Sequence, residues 1–97
     1  MKLEWNEAKN RINIRKHGLD FADAEEVLKG VIIATPDTRE AYGERRWQGI
    51  GAIGQRIVQI VFAEAGADTI RIMSLRKATS RERKEYEKAI QNGLEAH

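Results

Sequence analysis

The chain has no cysteine, a single proline, two histidines and few aromatic residues among its 97 positions. Without cysteine there is neither a disulfide framework nor a thiolate metal site. With only His17 and the terminal His97 as imidazole donors, no zinc or iron ligand set is recognisable, and no metal or other cofactor is expected. No apolar run approaches the length of a membrane span, and the opening MKLEWNEAK lacks an apolar signal core, so a cytoplasmic protein is expected. Phosphate-cradling GxxxxGK(S/T) and GxGxxG patterns are missing as well. Gly49, Gly51 and Gly54 lie between strand-like segments with no helix following. Ser74 and Ser80 have no sequence context for a nucleophile. There is no repeat, low-complexity tract or linker, and the length suits one domain, residues 1–97, with one modest core.

What the chain does have is charge. It is 33% charged and 41% hydrophobic, the balance of a globular protein with a well-charged surface. The sign is distributed unevenly. From Arg71 to Lys88 there are seven Lys/Arg and three Asp/Glu, a net +4 in a chain whose total is +2. A concentrated positive surface is the electrostatic footprint of a polyanion site.

Local signals predict the elements. Asn6 caps a helix running to about His17, with Trp5, Ala8 and Ile12 at helical spacing and Gly18 as its stop. Asp20 caps a second helix whose stripe is Phe21, Ala24, Val27 and Leu28, ending at Gly30. Val31 to Thr35 is a β-branched run stopped by Pro36, and Asp37 to Glu44 a polar loop. A weaker strand covers Arg45 to Ile53, where Gly49 and Gly51 suggest a bulge or a close backbone approach. Ile57 to Ala63 is the strongest strand, and Thr69 to Lys77 the last. Thr79 and Glu82 form a capping box that opens a helix at Ser80, with residues 91–97 expected to fray. The order α-α-β-β-β-β-α implies an α+β fold with a mainly antiparallel four-stranded sheet.

A metal-free basic surface with one internal histidine suits RNA cleavage by the substrate's own 2′-hydroxyl. Such a reaction asks the protein for positioning, proton transfer and cations against the developing phosphorane charge. Plain RNA binding, or a basic groove that receives an acidic partner segment, fits the same residues. His17 is the natural acid/base at neutral pH, yet Lys16 and His17 equally suit a helix C-terminus, where the dipole favours cations. Arg81, Arg83, Lys84 and Lys88 alternate with Glu82, Glu85 and Glu87 as on a solvated helix face. Arg45, Arg46 and Trp47 place two guanidinium groups beside a stacking surface. In a regular strand Arg71 and Arg76 point to opposite faces, so only a bulge brings both into one site.

Three stretches together carry a family resemblance: EWNEAKNRINIRKHGLDFADA, the Glu44-Arg45-Arg46 segment, and RIMSLRKATSRERKEYE. They resemble the BrnT toxins, whose start reads (F/E)W(D/N)xxKxxxNxxKHGxxF and whose end reads RIISARxAxxxERxxYE. Met73 and Leu75 stand where Ile and Ala are commoner. The resemblance implies a RelE-like fold and a type II toxin that inhibits translation by cutting RNA. It also implies a BrnA-type antitoxin with a ribbon-helix-helix domain, in a hetero-oligomer that touches operator DNA only through the antitoxin. Carried onto this chain, it points to His17 for proton transfer and to Arg45, Arg71 and Arg76 for the scissile phosphate. Lys16, Lys77, Arg83 and Tyr86 are then expected to contact RNA.

Overall fold

Capping chemistry delimits the first helix as expected. In the computed structural model, which describes residues 1–39, 41 and 43–95, helix α1 spans Glu7–His17. Asn6 Oδ1 accepts the Lys9 amide at 3.0 Å, and Gly18, at φ 68°, donates its N–H to Ile14 O at 2.7 Å. Asp20 also caps, accepting from the Ala22 amide. What it opens is a 3-10 turn, Phe21–Asp23, followed by a short helix α2, Ala24–Lys29. The Thr79–Glu82 box opens helix α3, Ser80–Glu95, with both reciprocal hydrogen bonds formed. The helix continues past Gln91, where fraying was expected; residues 96 and 97 lie outside the described residues.

The strands are β1 (Lys2–Glu4), β2 (Ile33–Pro36), β3 (Arg46–Ile53), β4 (Arg56–Gly66) and β5 (Thr69–Lys77). They form one sheet in the order β1-β5-β4-β3-β2. The expected four-stranded antiparallel sheet is therefore a mixed five-stranded one, because β1 adds in parallel to Thr69–Arg71. Three residues with a single apolar side chain carry no alternation to read. Backbone pairing holds β1 instead, reinforced where the terminal ammonium meets Asp68 at 3.4 Å. β2 begins two residues later than expected, its pairing with β3 starting at Ile33, and the Val31 carbonyl accepts the Tyr86 hydroxyl.

One face of the sheet carries the core. Leu19, Phe21, Ala24 and Val27 pack against Val58, Ile60, Phe62, Ile72 and Leu75. The pairing of β3 with β4 is unbroken, so Gly49 and Gly51 serve close approach and mark no bulge. A Cβ on Gly51 would stand 2.7 Å from Val27 Cγ1. Gly51→Ala is expected to destabilise by about 1–3 kcal/mol in urea denaturation through overpacking. Gly93→Ala, which meets open space, is the control expected to show no loss.

Helix α1 docks in a way its apolar spacing did not suggest. Ala8 and Ile12 are exposed, and the buried residues are Asn10 and Asn13. Asn13 Nδ2 donates to Leu19 O at 2.9 Å and Leu75 O at 2.8 Å, while its Oδ1 accepts the Leu75 amide at 3.3 Å. β1 pairs with β5 only as far as Arg71. Beyond it the Asn13 amide takes the place of a neighbouring strand, satisfying backbone groups that burial would otherwise leave unpaired. Asn10 secures the next turn, accepting the Phe21 amide and donating to Asp20.

Candidate active site

A bulge in β5 decides where the arginines point. Val61 pairs with Ser74 and Phe62 with Ile72, which leaves Met73 as an extra, unpaired residue. Alternation is reset there. Ile72 and Leu75, three apart, both enter the core, and Arg71 and Arg76 both project from the opposite face. Three cross-strand rows run over that face: Arg46–Ala63–Arg71, Gln48–Val61–Ser74 and Ile50–Gln59–Arg76.

The rows floor a concavity of about 360 Å³ lined by Lys9, Arg39, Arg46, Gln59, Val61, Met73, Ser74 and Arg76. Lys9 reaches it from α1, which Asn13 holds against the β5 edge. The guanidinium groups are oriented by carboxylates. Arg76 is bidentate to Glu82, at 2.9 and 3.0 Å, and Glu82 is the same side chain that caps α3. Arg39 is bidentate to buried Asp37, both contacts at 2.8 Å. Glu44 bridges Arg46 at 3.3 Å and Arg71 at 3.0 Å, and Glu4 holds Arg71 from its other side. Planar guanidinium forks at fixed angles match the oxygens of a phosphodiester, which makes the groove chemically suited to that group.

The titration behaviour follows these pairs. The Arg39 fork, aided by the Arg39 amide and Gln48, holds the Asp37 carboxyl far below the usual carboxylate range against the opposing effect of burial. Glu4, more than Glu44, pushes the Arg71 guanidinium further up. The Arg76 fork, with the Thr79 amide and hydroxyl, lowers Glu82 below its ordinary 4.5. A depressed carboxyl contributes stability that is full above its unfolded value and lost as pH falls through its folded value. Acidification from pH 4.5 downward is therefore expected to lower the melting temperature less in Glu82→Gln than in the wild type, measured on both proteins across that range.

The expected site residues divide. Arg71 and Arg76 share the groove face. Arg45 does not: it lies over the Trp47 ring at 5.6 Å and near Glu64, on the core side, while its neighbour Arg46 enters the groove. Lys16 and His17 are exposed at the end of α1 and do not line the groove. Lys77 and Arg83 line a separate concavity. Tyr86, expected to contact RNA, is 4% exposed and spends its hydroxyl on Val31 O at 2.7 Å, so its ring is core and is not offered for stacking. Burial also raises its pKa. Lys9 and Arg39 carry no local sequence signal for the groove. Arg46 sits beside Arg45 in the basic triplet, and only cross-strand register separates the two.

The family described as "Ribonuclease toxin, BrnT, of type II toxin-antitoxin system" matches residues 5–82. Among solved structures, the 1.1 Å crystal structure of the Brucella abortus ribonuclease toxin BrnT is similar to this chain, with 32% sequence identity and a TM-score of 0.61. The similarity covers 82% of this chain and 99% of that one. No curated protein sequence matches.

Proposed function

Because the chain belongs to the BrnT family of ribonuclease toxins of type II toxin–antitoxin systems, we propose that it cleaves RNA in the groove on the open face of its sheet, without a metal. Membership implies an antitoxin partner. We assign that partner to the BrnA type with a ribbon-helix-helix domain, the cell compartment to the cytoplasm, and the outcome of cleavage to arrested translation.

The observation that carries the reading is the Met73 bulge, which turns Arg76 and Arg71 to one face beside Arg46 and Arg39. Among the described residues no three His, Cys, Asp or Glu side chains group as a metal set. The carboxylates nearest the groove, Asp37, Glu44 and Glu82, are each engaged with arginine. Cations are what this surface has to offer a phosphate.

In the proposed reaction the substrate's 2′-oxygen attacks the adjacent phosphorus and loses its proton to water. Arg76, Arg46 and Arg39 bind the non-bridging oxygens as charge builds on them. The bond to the 5′-oxygen breaks, and that oxygen takes a proton from the Lys9 ammonium. The products are a 2′,3′-cyclic phosphate and a 5′-hydroxyl. Arg71 acts through Glu44, which orients Arg46. Lys9 displaces His17 in the acid role because Lys9 lines the groove, whereas His17 lies eight residues further on, roughly 12 Å along α1.

The test is cleavage of a synthetic RNA by purified protein in excess chelator, with end-group analysis, alongside induced expression in growing cells. Cyclic phosphate ends formed in chelator, with growth arrest, are the expected result. Intact RNA that is cut only when divalent metal is restored overturns the metal-free reading. Lys9→Ala is expected to lose on the order of 10²-fold in cleavage, the usual range for a general acid, while His17→Ala retains it. The reverse ranking returns the proton-transfer role to His17.

A further inference from the structure

We propose that the concavity at the far end of β5 is a second phosphate subsite, which holds a phosphodiester of the RNA strand flanking the one cleaved in the groove. The proposal rests on the ribonuclease reading above. This concavity, about 410 Å³, is lined by Arg56, Lys77 and Arg83 together with Gln55, Val58 and Ala78, among other residues. All three cations are exposed.

The charge arrangement differs from that of the groove. No carboxylate lines this concavity, and among the described residues the side chains of Arg56, Lys77 and Arg83 make no hydrogen bond or ion pair, the Lys77 carbonyl alone accepting from Arg76. In the groove, Arg76, Arg46 and Arg39 each hold a carboxylate, so a phosphate must share or displace an internal partner there. At the end of β5 an anion gains three cations and displaces nothing. Affinity without chemistry is the expected property of such a surface.

Position ties it to the groove. Lys77 follows Arg76 in β5, and successive strand residues point to opposite faces. On α3, Arg83 follows Glu82, the partner of Arg76, about 100° further round the helix. The two concavities therefore flank the first turn of α3. An RNA strand leaving the groove crosses that turn, where the helix dipole favours a phosphate. This continuity favours a strand of RNA over an acidic protein segment as the occupant.

The experiment uses fully 2′-O-methyl RNA, whose blocked nucleophile prevents cleavage, as a trinucleotide and as a longer single strand. Binding is followed by fluorescence anisotropy over a range of salt concentrations, on variants whose melting temperatures match the wild type. Arg56→Ala and Lys77→Ala are each expected to weaken the longer strand and to reduce its salt slope by about 0.7, the loss of one phosphate contact. Trinucleotide binding is expected to hold, and Lys77→Arg to restore the longer strand's slope. An unchanged slope in both alanine variants overturns the subsite. So does a wild type that binds both lengths equally. Variants that keep the RNA slope and lose antitoxin binding overturn it too, and give the surface to the protein partner. If the wild type shows the length-dependent slope yet fails to cut unmodified RNA, the subsite stands and the catalytic reading falls.

Discussion

Arg76→Ala is expected to reduce RNA cleavage by about 10²–10³-fold, the cost typical of removing one preorganised donor to a developing oxyanion. The loss should appear in kcat more than in KM, because the fork is worth most when charge accumulates on the phosphate. The variant is a clean probe. Glu82 keeps its capping bonds to Thr79, so α3 still starts where it does, and what is removed is the bidentate contact to Glu82 and the Arg76 Nη1 bond to the Lys77 carbonyl. Arg76→Lys should not restore activity, since an ammonium cannot span two oxygens in one plane. Induced in cells, the alanine variant should accumulate without arresting growth. Full activity in a folded Arg76→Ala protein would move the reaction away from this groove.

The second large effect is on stability. Asn13→Ala is expected to cost about 2–4 kcal/mol, because it removes three hydrogen bonds and strands the Leu75 amide and carbonyl and the Leu19 carbonyl in a buried setting. In a domain of this size each kcal/mol moves the melting temperature by roughly 4–8 °C. Asn13→Asp is expected to be no better. It keeps the shape but replaces the donor with a charged acceptor facing two carbonyls. Ile12→Ala, one residue away and 57% exposed, should stay within about 0.5 kcal/mol. Urea denaturation of the three variants ranks them. A destabilised Ile12→Ala beside a neutral Asn13→Ala would mean that α1 docks through its apolar side after all. Loss of Asn13 should also lower cleavage, since α1 carries Lys9 to the groove.

The family and the α+β class were legible because both are written locally. A cap such as Asn6, a left-handed stop such as Gly18 and the Thr79–Glu82 box each act over one turn of chain. The β-branched runs in β4 and β5 need no distant partner to declare themselves. Even the need for a bulge, if Arg71 and Arg76 were to meet, was readable from strand alternation. Three features had to wait for the tertiary structure, each for the same reason: they depend on what lies across a strand. β1 exists because Thr69–Arg71 offers an edge to three residues that carry no pattern of their own. Asn10 and Asn13 are buried because the β5 edge and the Leu19–Phe21 turn present backbone groups to them, so amides pack where apolar side chains were expected. The choice of Arg46 over Arg45 for the groove is set by pairing against Ala63. Sequence alone determined which residues are charged, capped and apolar; only the register between strands decided which of those charges share one face of the sheet.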